Sequence, residues 1–280
     1  MRSAGLDVVV RERGRAPGGR LASPQLHDRS VDLGASYFTV TDRDFAAVAA
    51  DWRERGVASE WTDTFAAIDA NGHSSKSGPM RWAAPGGLRT LARDLLGEVE
   101  LGTEVTELPA GFDAVVLATP DPQAARLVPD GSVGWVDYDP VIAVAVGCAQ
   151  RTWDFEAAFV NDDPDLTFIA DDGARRGDGA PVLVVHTTPE RARQHLTEPD
   201  GAVAPALTAL RRVLGAELVP TWTQAHRWTF AKPAGKHDEP FWFDGRLGVC
   251  GDSWCPDGSP RVESAWLSGH RLGTELAARL

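Results

Sequence analysis

Lysine is nearly missing from this chain of 280 residues: Lys76, Lys232 and Lys236 are the only three among 28 basic positions, so arginine carries the positive charge. That bias reads first as genome composition and second as phosphate recognition. Net positive charge is missing too. The formal charge of −12 excludes a general nucleic-acid or anionic-membrane binder, both of which need a basic footprint, and leaves room only for a local basic pocket. Long apolar runs are absent. The longest, residues 141–146, suits a buried strand and falls far short of the ~20 residues of a membrane helix. The N-terminus has no apolar signal-peptide core, so a cytoplasmic location is expected. Three cysteines, an odd number in a long chain, argue against a disulfide scaffold. What remains is ordinary for a globular protein, with 43% hydrophobic and 24% charged residues, enough for one large core or two smaller ones.

Residues 6–10, Leu-Asp-Val-Val-Val, follow Ala4-Gly5, which reads as a helix end with a left-handed glycine cap, and precede a glycine-rich turn. They read as a buried parallel strand. Short extended segments are expected over 21–35. Residues 42–55 read as a helix capped by Asp42, with Phe45, Val48, Ala49 and Trp52 on one face. Asn71-Gly72 marks a hairpin turn within 61–82, and 86–96 a second amphipathic helix. Residues 99–108 and 112–118 read as strands, the latter almost wholly apolar and therefore central. From 141 to 230 the pattern changes to apolar strands (141–146, 166–170, 182–185, 222–230) around one helix, 202–214, as in an antiparallel sheet with a helix. A strand at 247–251 and a helix from 262 to 280 close the chain. No repeats or low-complexity segments occur.

Glu12 ends the first apolar strand, where in a dinucleotide-binding βαβ unit a carboxylate accepts from ribose hydroxyls; taken alone it reads sooner as a surface glutamate. Gly18-Gly19-Arg20 follows, glycines that allow close backbone approach and an arginine suited to phosphate. Asp252 ends another apolar strand as an exposed carboxylate able to bind hydroxyls. The helix after it carries Ala265, Gly269, Gly273 and Ala277 at four-residue spacing, a stripe that permits close packing, and its N-terminal amides suit an electron-rich group. Gly251-Asp252-Ser253 is not a hydrolase block, since no Asp-x-x-His precedes the C-terminus. Cys250, Cys255 and His270 are too few and wrongly spaced for zinc.

Taken in order, the stretch from Glu12 to Arg20, residues 31–39 (Val-Asp-Leu-Gly-Ala-Ser-Tyr-Phe-Thr), and Gly251-Asp252 with residues 261–269 resemble the amine-oxidase-like flavoproteins. Asp32 to Phe38, Pro85 to Leu88, Phe112 to Ala118, His226-Arg227-Trp228 and Arg261 to Trp266 are similar to the renalase-like branch, loosely between 135 and 221. The resemblance implies FAD, held by Glu12, Gly18, Gly19, Arg20, Gly34, Ala35, Val105, Gly251, Asp252, Arg261, Val262 and Ala265. It implies hydride transfer from a small reduced substrate to the flavin and reoxidation by molecular oxygen. That substrate is a dihydronicotinamide dinucleotide isomer in the renalase-like branch and an amine in the wider family. His226, Trp228 and Tyr37 are the expected substrate-side residues, though each also reads as core; the cofactor does the chemistry, so no catalytic dyad is required. The expected fold is α/β: a Rossmann-like FAD/NAD(P)-binding domain from 1–40, 82–135 and 244–280, with an inserted α+β substrate domain, 41–81 and 136–243, carrying the antiparallel sheet. No G-x-G-x-x-G precedes Glu12, so the domain is expected to lack its first strand and phosphate loop. An active enzyme with a misassigned start codon and a flavin-free truncated relative are the two readings of that gap.

Overall fold

A computed structural model describes residues 1–128 and 131–280. In the N-terminal quarter, strands β1 (Arg11–Glu12), β2 (Gln25–Leu26), β3 (Arg29–Ser30) and β4 (Phe38–Thr39) are short. Helix α1 (Arg43–Glu54) starts where the Asp42 carboxylate accepts from the Asp44 and Phe45 amides, at 2.8 and 3.1 Å. Its apolar spacing buries Phe45, Ala49 and Trp52 against Phe38 and Trp82, each large side chain stabilising by about 1.5–3 kcal/mol. Two long strands follow, β5 (Ser59–Asp69) and β6 (Gly72–Ala83). Their hairpin turns at Ala70-Asn71, one residue earlier than expected, because Asp69 pairs with Gly72. Helix α2 (Arg89–Leu96) begins only after the Gly87 turn at φ 96°. Next come β7 (Glu100–Leu101), β8 (Val115–Leu117) and the single turn α3 (Asp121–Ala124).

The second half supplies β9 (Tyr138–Cys148), β10 (Ala157–Val160), β11 (Leu166–Asp171), α4 (Asp172–Arg176), β12 (Val182–Thr187), α5 (Pro189–Gln194), α6 (Val203–Leu214) and β13 (Pro220–Pro233). Then follow β14 (Trp242–Phe243), β15 (Leu247–Val249) and α7 (Val262–Arg279). Among the described residues one large sheet dominates, in the order β13-β9-β12-β11-β10-β5-β6-β4. It is mixed rather than purely antiparallel, since β10 runs parallel to β5. One face buries Ile142, Val144 and Val146 under α6 through Ala206, Ala209 and Leu210. The opposite face carries Ala143, Ala145 and Val184 beneath Val31 and Leu33, and beside them Phe65, Phe159 and Phe168.

Outside the large sheet the parallel pairs β1-β7 and β15-β8 lie in two separate small sheets, with β14 adding antiparallel to the second. This corrects three expectations. Val8, Val9 and Val10 are not a buried strand; none is buried, and Val9 is 46% exposed. The strand expected at 99–108 pairs only over Glu100–Leu101. β8 is an edge strand, not central, because β15 covers one side of it and no other strand pairs with it among the described residues. In each case an apolar run reports burial potential, and burial needs a partner strand. No described helix is long and apolar enough to cross a membrane.

Candidate functional site

Gly18 and Gly19 take φ of 102° and 47°, a left-handed pair that turns the chain into a 3-10 turn holding Arg20. A Cβ on Gly34 would collide with the Arg20 carbonyl. Its absence lets residues 33–35 lie against 20–22, with Leu33 N donating to Ala22 O at 3.1 Å and Ala35 N to Arg20 O at 2.9 Å. So fixed, the Arg20 guanidinium donates twice to Asp252, at 2.6 and 2.7 Å, and once to Ala231 O at 3.1 Å. It also lies over the Tyr138 ring, whose hydroxyl donates to Asp252 at 3.2 Å. Asp252 is therefore not the exposed carboxylate expected from a strand end, but 8% exposed and fully engaged. Desolvation works against the charge on Arg20, yet the Asp252 bonds and charge outweigh it and hold the guanidinium above its ordinary pKa. Burial, then Asp252, pushes the Tyr138 phenol up.

The large sheet brings the second group together. His226 on β13 and His186 on β12 both pair with Ala143 of β9, and His186 pairs onward with Phe168 of β11. Directly opposed residues share a face, so His226, Ala143, His186 and Phe168 form one row across four strands. Trp228 meets His226 edge to face with ring centroids 4.4 Å apart, and its Nε1 donates to Leu33 O at 2.7 Å. Tyr37 joins the far end, on Phe65 at 5.3 Å and near Phe168 at 6.2 Å. Burial lowers the pKa of His226, with Arg89 and Arg227 adding to it, and brings His186 down to about 3, with Lys232 and Arg175 adding to it. Lys232, near the end of β13, is itself lowered by burial, an effect Asp139 only partly offsets. Arg20, Tyr138, His186, His226 and Lys232 are all desolvated by surrounding protein, yet each keeps contact with solvent.

Behind the Asp32–Ala35 segment lies a buried ionic cluster. Asp32 accepts from Ser23 Oγ and the Leu88 amide and pairs with Arg176 at 2.9 Å. Asp172 pairs with Arg175 and with Arg29, the latter at 2.5 Å. Both carboxylates are fully buried, so the segment carrying Gly34 and Ala35 is anchored in the second half of the chain.

Arg20, Gly34, Ala35, Asp252 and Gly251 meet in one place, and Trp228 reaches them through Leu33. Gly251 N donates to Ser268 Oγ at 3.1 Å. Arg261 turns to Thr41, at 2.8 Å, and to the buried Glu263, which also accepts from the Thr41 and Asp42 amides; Val262 packs on the Trp82 cluster. The Glu12 carboxylate accepts from the Gly14 amide at 2.6 Å, and Val105 is half-buried in the unpaired stretch after β7. Of the small-residue stripe on α7 only Gly273 packs closely, where a Cβ would meet Met1 at 3.4 Å. A Cβ on Gly269 would meet nothing within 4 Å, and Ala265 and Ala277 are half-exposed. The rest of the buried face is Glu263, Ser264, Ser268, Leu272 and Leu276. Sequence reasoning missed His186 and Lys232, since His186 sits in an apolar run that reads as plain core.

The two depressed histidines set an acid limit. A base whose folded pKa is lowered is protonated first in the unfolded chain, so stability declines as pH falls through the ordinary histidine value of ~6.5, towards about 3 for His186. Thermal melts taken at about pH 7 and about pH 5 should show that loss, and His186→Phe should reduce it; identical pH dependence in both proteins would contradict the assignment.

The donor set fits a flavin and its ribityl chain. Asp252 and Arg20 supply a carboxylate and a cationic fork, here paired with each other at 2.6 and 2.7 Å. The space beside Gly19, Gly251 and Gly269 is open, the nearest atom to a Cβ on Gly251 being 4.0 Å away. At the start of α7 Ser264 Oγ accepts from the Arg261 amide at 2.8 Å. Comparison with known proteins agrees. The family model of flavin containing amine oxidoreductases matches residues 45–275, and that of the NAD(P)-binding Rossmann-like domain matches 1–53. Among solved structures, a candidate protoporphyrinogen oxidase from Exiguobacterium sp. 255-15 is similar at 11% identity and TM-score 0.73, over 97% of this chain and 93% of that one. A wild-type putrescine oxidase bound to putrescine gives 14% and 0.69 over 99% and 95%, and an oxidoreductase from Methanosarcina mazei 12% and 0.66 over 97% and 95%. At these identities the likeness is one of fold.

Proposed function

The chain belongs to the flavin containing amine oxidoreductase family and is an FAD-dependent oxidoreductase; on that premise we propose that it oxidises a small, flat, neutral or anionic substrate of the dihydronicotinamide dinucleotide type, as in the renalase-like branch. The observation that carries this reading is the row of His226, Ala143 and His186, two imidazoles whose pKa values burial lowers, set on one face of the sheet beside Trp228. Neutral rings give a protonated amine no anionic partner and suit a flat, uncharged ring such as a dihydronicotinamide. FAD, when bound, would supply the acceptor for the hydride and the route for its two electrons to oxygen, released as hydrogen peroxide. The chain's own residues bind and orient. In this reading Asp252 holds ribityl hydroxyls, Arg20 faces the pyrophosphate, and the N-terminus of α7 with Arg261, Val262 and Ala265 lies by the ring. Trp228 and Tyr37 flank the substrate, and His226, kept neutral, hydrogen-bonds it.

The cofactor half would comprise 1–40, 82–135 and 244–280, and the substrate half 41–81 and 136–243. Glu12 and Val105 would serve the adenosine end.

Peroxide release from dihydronicotinamide isomers, measured beside a panel of amines, tests the substrate. Turnover of the isomers is expected; turnover of amines alone would overturn the proposal.

A further inference from the structure

We propose that His237 is a positioning residue for the cofactor contact of Asp252, acting through the buried carboxylate of Asp121. The proposal rests on the assignment of Asp252 to the ribityl chain and adds the residues that hold it in place.

Residues 234–240 lead out of β13 as a loop that is exposed at Ala234, Gly235, Lys236, Asp238 and Glu239. A loop of this composition has no large apolar side chain to bury, yet it turns His237 inward. The imidazole lies flat on the Trp254 ring, with centroids 3.5 Å apart and planes at 10°, and its Nε2 meets Asp121 Oδ2 at 2.5 Å. A carboxylate oxygen only accepts, so Nε2 carries the proton and donates.

Asp121 opens α3 and is 1% exposed. It gathers three segments of chain. Oδ2 accepts from His237 and from the Val136 amide at 3.1 Å, and Oδ1 accepts from Ser253 Oγ at 3.0 Å. Among the described residues His237 is the one basic side chain paired with it. A carboxylate so deeply buried depends on its donors, because each lost bond leaves the charge unsolvated.

The other two arms end beside the groups assigned to the flavin. Ser253 is fully buried and follows Asp252; its carbonyl accepts from the His237 amide at 2.9 Å, and Trp254 comes next. His237 therefore holds residues 253 and 254 through main chain, ring stack and, by way of Asp121, hydroxyl. Val136 stands two residues before Tyr138, whose hydroxyl donates to Asp252 at 3.2 Å. Asp121 thus fixes the Asp252 turn against the start of β9, and His237 fixes Asp121. A binding group keeps its contact only while the bonds behind it hold it to within about 0.5 Å.

The test titrates FAD into flavin-free protein, wild type beside His237→Gln, which keeps an N–H donor, and His237→Phe, which keeps a ring over Trp254 and removes the donor. Affinity is read from quenching of flavin fluorescence, cofactor geometry from visible circular dichroism, and folding from the melting temperature without flavin. His237→Phe should weaken FAD about tenfold, the equivalent of one hydrogen bond to a charged group, and change the dichroism of the bound flavin. His237→Gln should recover most of both. On an Asp252→Asn background His237→Phe should weaken FAD by about twofold or less, since the contact it positions is already gone, whereas a purely structural role gives the same factor in both backgrounds. Should the phenylalanine variant not fold, Ser253→Ala breaks the other arm of Asp121 and is expected to show the same dependence on background. Equal factors in the two backgrounds, or a His237→Phe protein that binds FAD like wild type, overturn the role of His237 alone. An Asp252→Asn protein that binds FAD as tightly as wild type overturns the cofactor assignment of Asp252 and this proposal together.

Discussion

Asp252→Ala is expected to lose flavin and melting temperature together. The substitution removes the bidentate acceptor of Arg20 and the partner of the Tyr138 hydroxyl, leaving the guanidinium with the Ala231 carbonyl alone. Truncating one member of a buried ion pair costs about 3–5 kcal/mol, because the other charge stays behind unpaired. Arg20 keeps 28% of its side chain exposed, so water recovers part of that loss and about 3 kcal/mol is the reasonable figure. In a chain of this size that is roughly 6–12 °C. Flavin should be lost as well, since the same carboxylate is assigned to the ribityl hydroxyls. Asp252→Asn separates the two effects: it keeps the shape and one acceptor, so it should melt closer to wild type while holding flavin weakly. The double variant with Arg20→Ala should be less destabilised than the sum of the single ones, since removing both partners leaves no stranded charge. Thermal melts and the flavin-to-protein absorbance ratio measure both. An Asp252→Ala protein that melts like wild type and stays fully yellow would refute the assignment.

Arg20 and Asp252 each carry a local signature, glycines before one and an apolar strand before the other, but neither signature reports that the two pair with each other and bury the carboxylate. The helix at α1 was legible for a purely local reason: Asp42 and the Phe45, Ala49, Trp52 spacing fix both its start and its buried face. Misreadings arose where the outcome depends on a distant partner. Residues 8–10 and 112–118 have the composition of central strands, yet the structure gives them no second neighbour, and composition cannot report that. The row from His226 to Phe168 was illegible for the same reason. Each member sits in its own apolar strand, and only the register across β13, β9, β12 and β11 sets them side by side. Small residues on α7 likewise report that close packing is allowed; Gly269 faces open space.

The second large effect concerns the ionic cluster that holds the Asp32–Ala35 segment. Asp172→Ala is expected to cost about 3–5 kcal/mol, a large part of the ~5–15 kcal/mol that keeps a domain folded. The charges there balance: Arg29, Arg175 and Arg176 against Asp32, Asp172 and the more exposed Asp178. Deleting Asp172 strands a net positive charge among groups that are almost all buried. It also takes the acceptor from the Asp32 amide at 3.3 Å. The cluster has a pH signature as well. Desolvation raises the Asp172 pKa, but Arg175 and Arg176, followed by Arg29, outweigh it and hold the carboxyl below its ordinary range. A depressed carboxylate contributes stability above its unfolded pKa of ~3.9 and loses it as pH falls through the folded value. Acid unfolding of the wild type should therefore steepen below about pH 4, and Asp172→Asn should be less stable at neutral pH and flatter in that window. Urea melts across pH decide the matter: an Asp172→Asn protein with wild-type stability at neutral pH would mean that the cluster contributes nothing net. The same variant should lower flavin retention only in proportion to its stability, because Asp172 acts on Gly34 and Ala35 solely through the backbone it anchors.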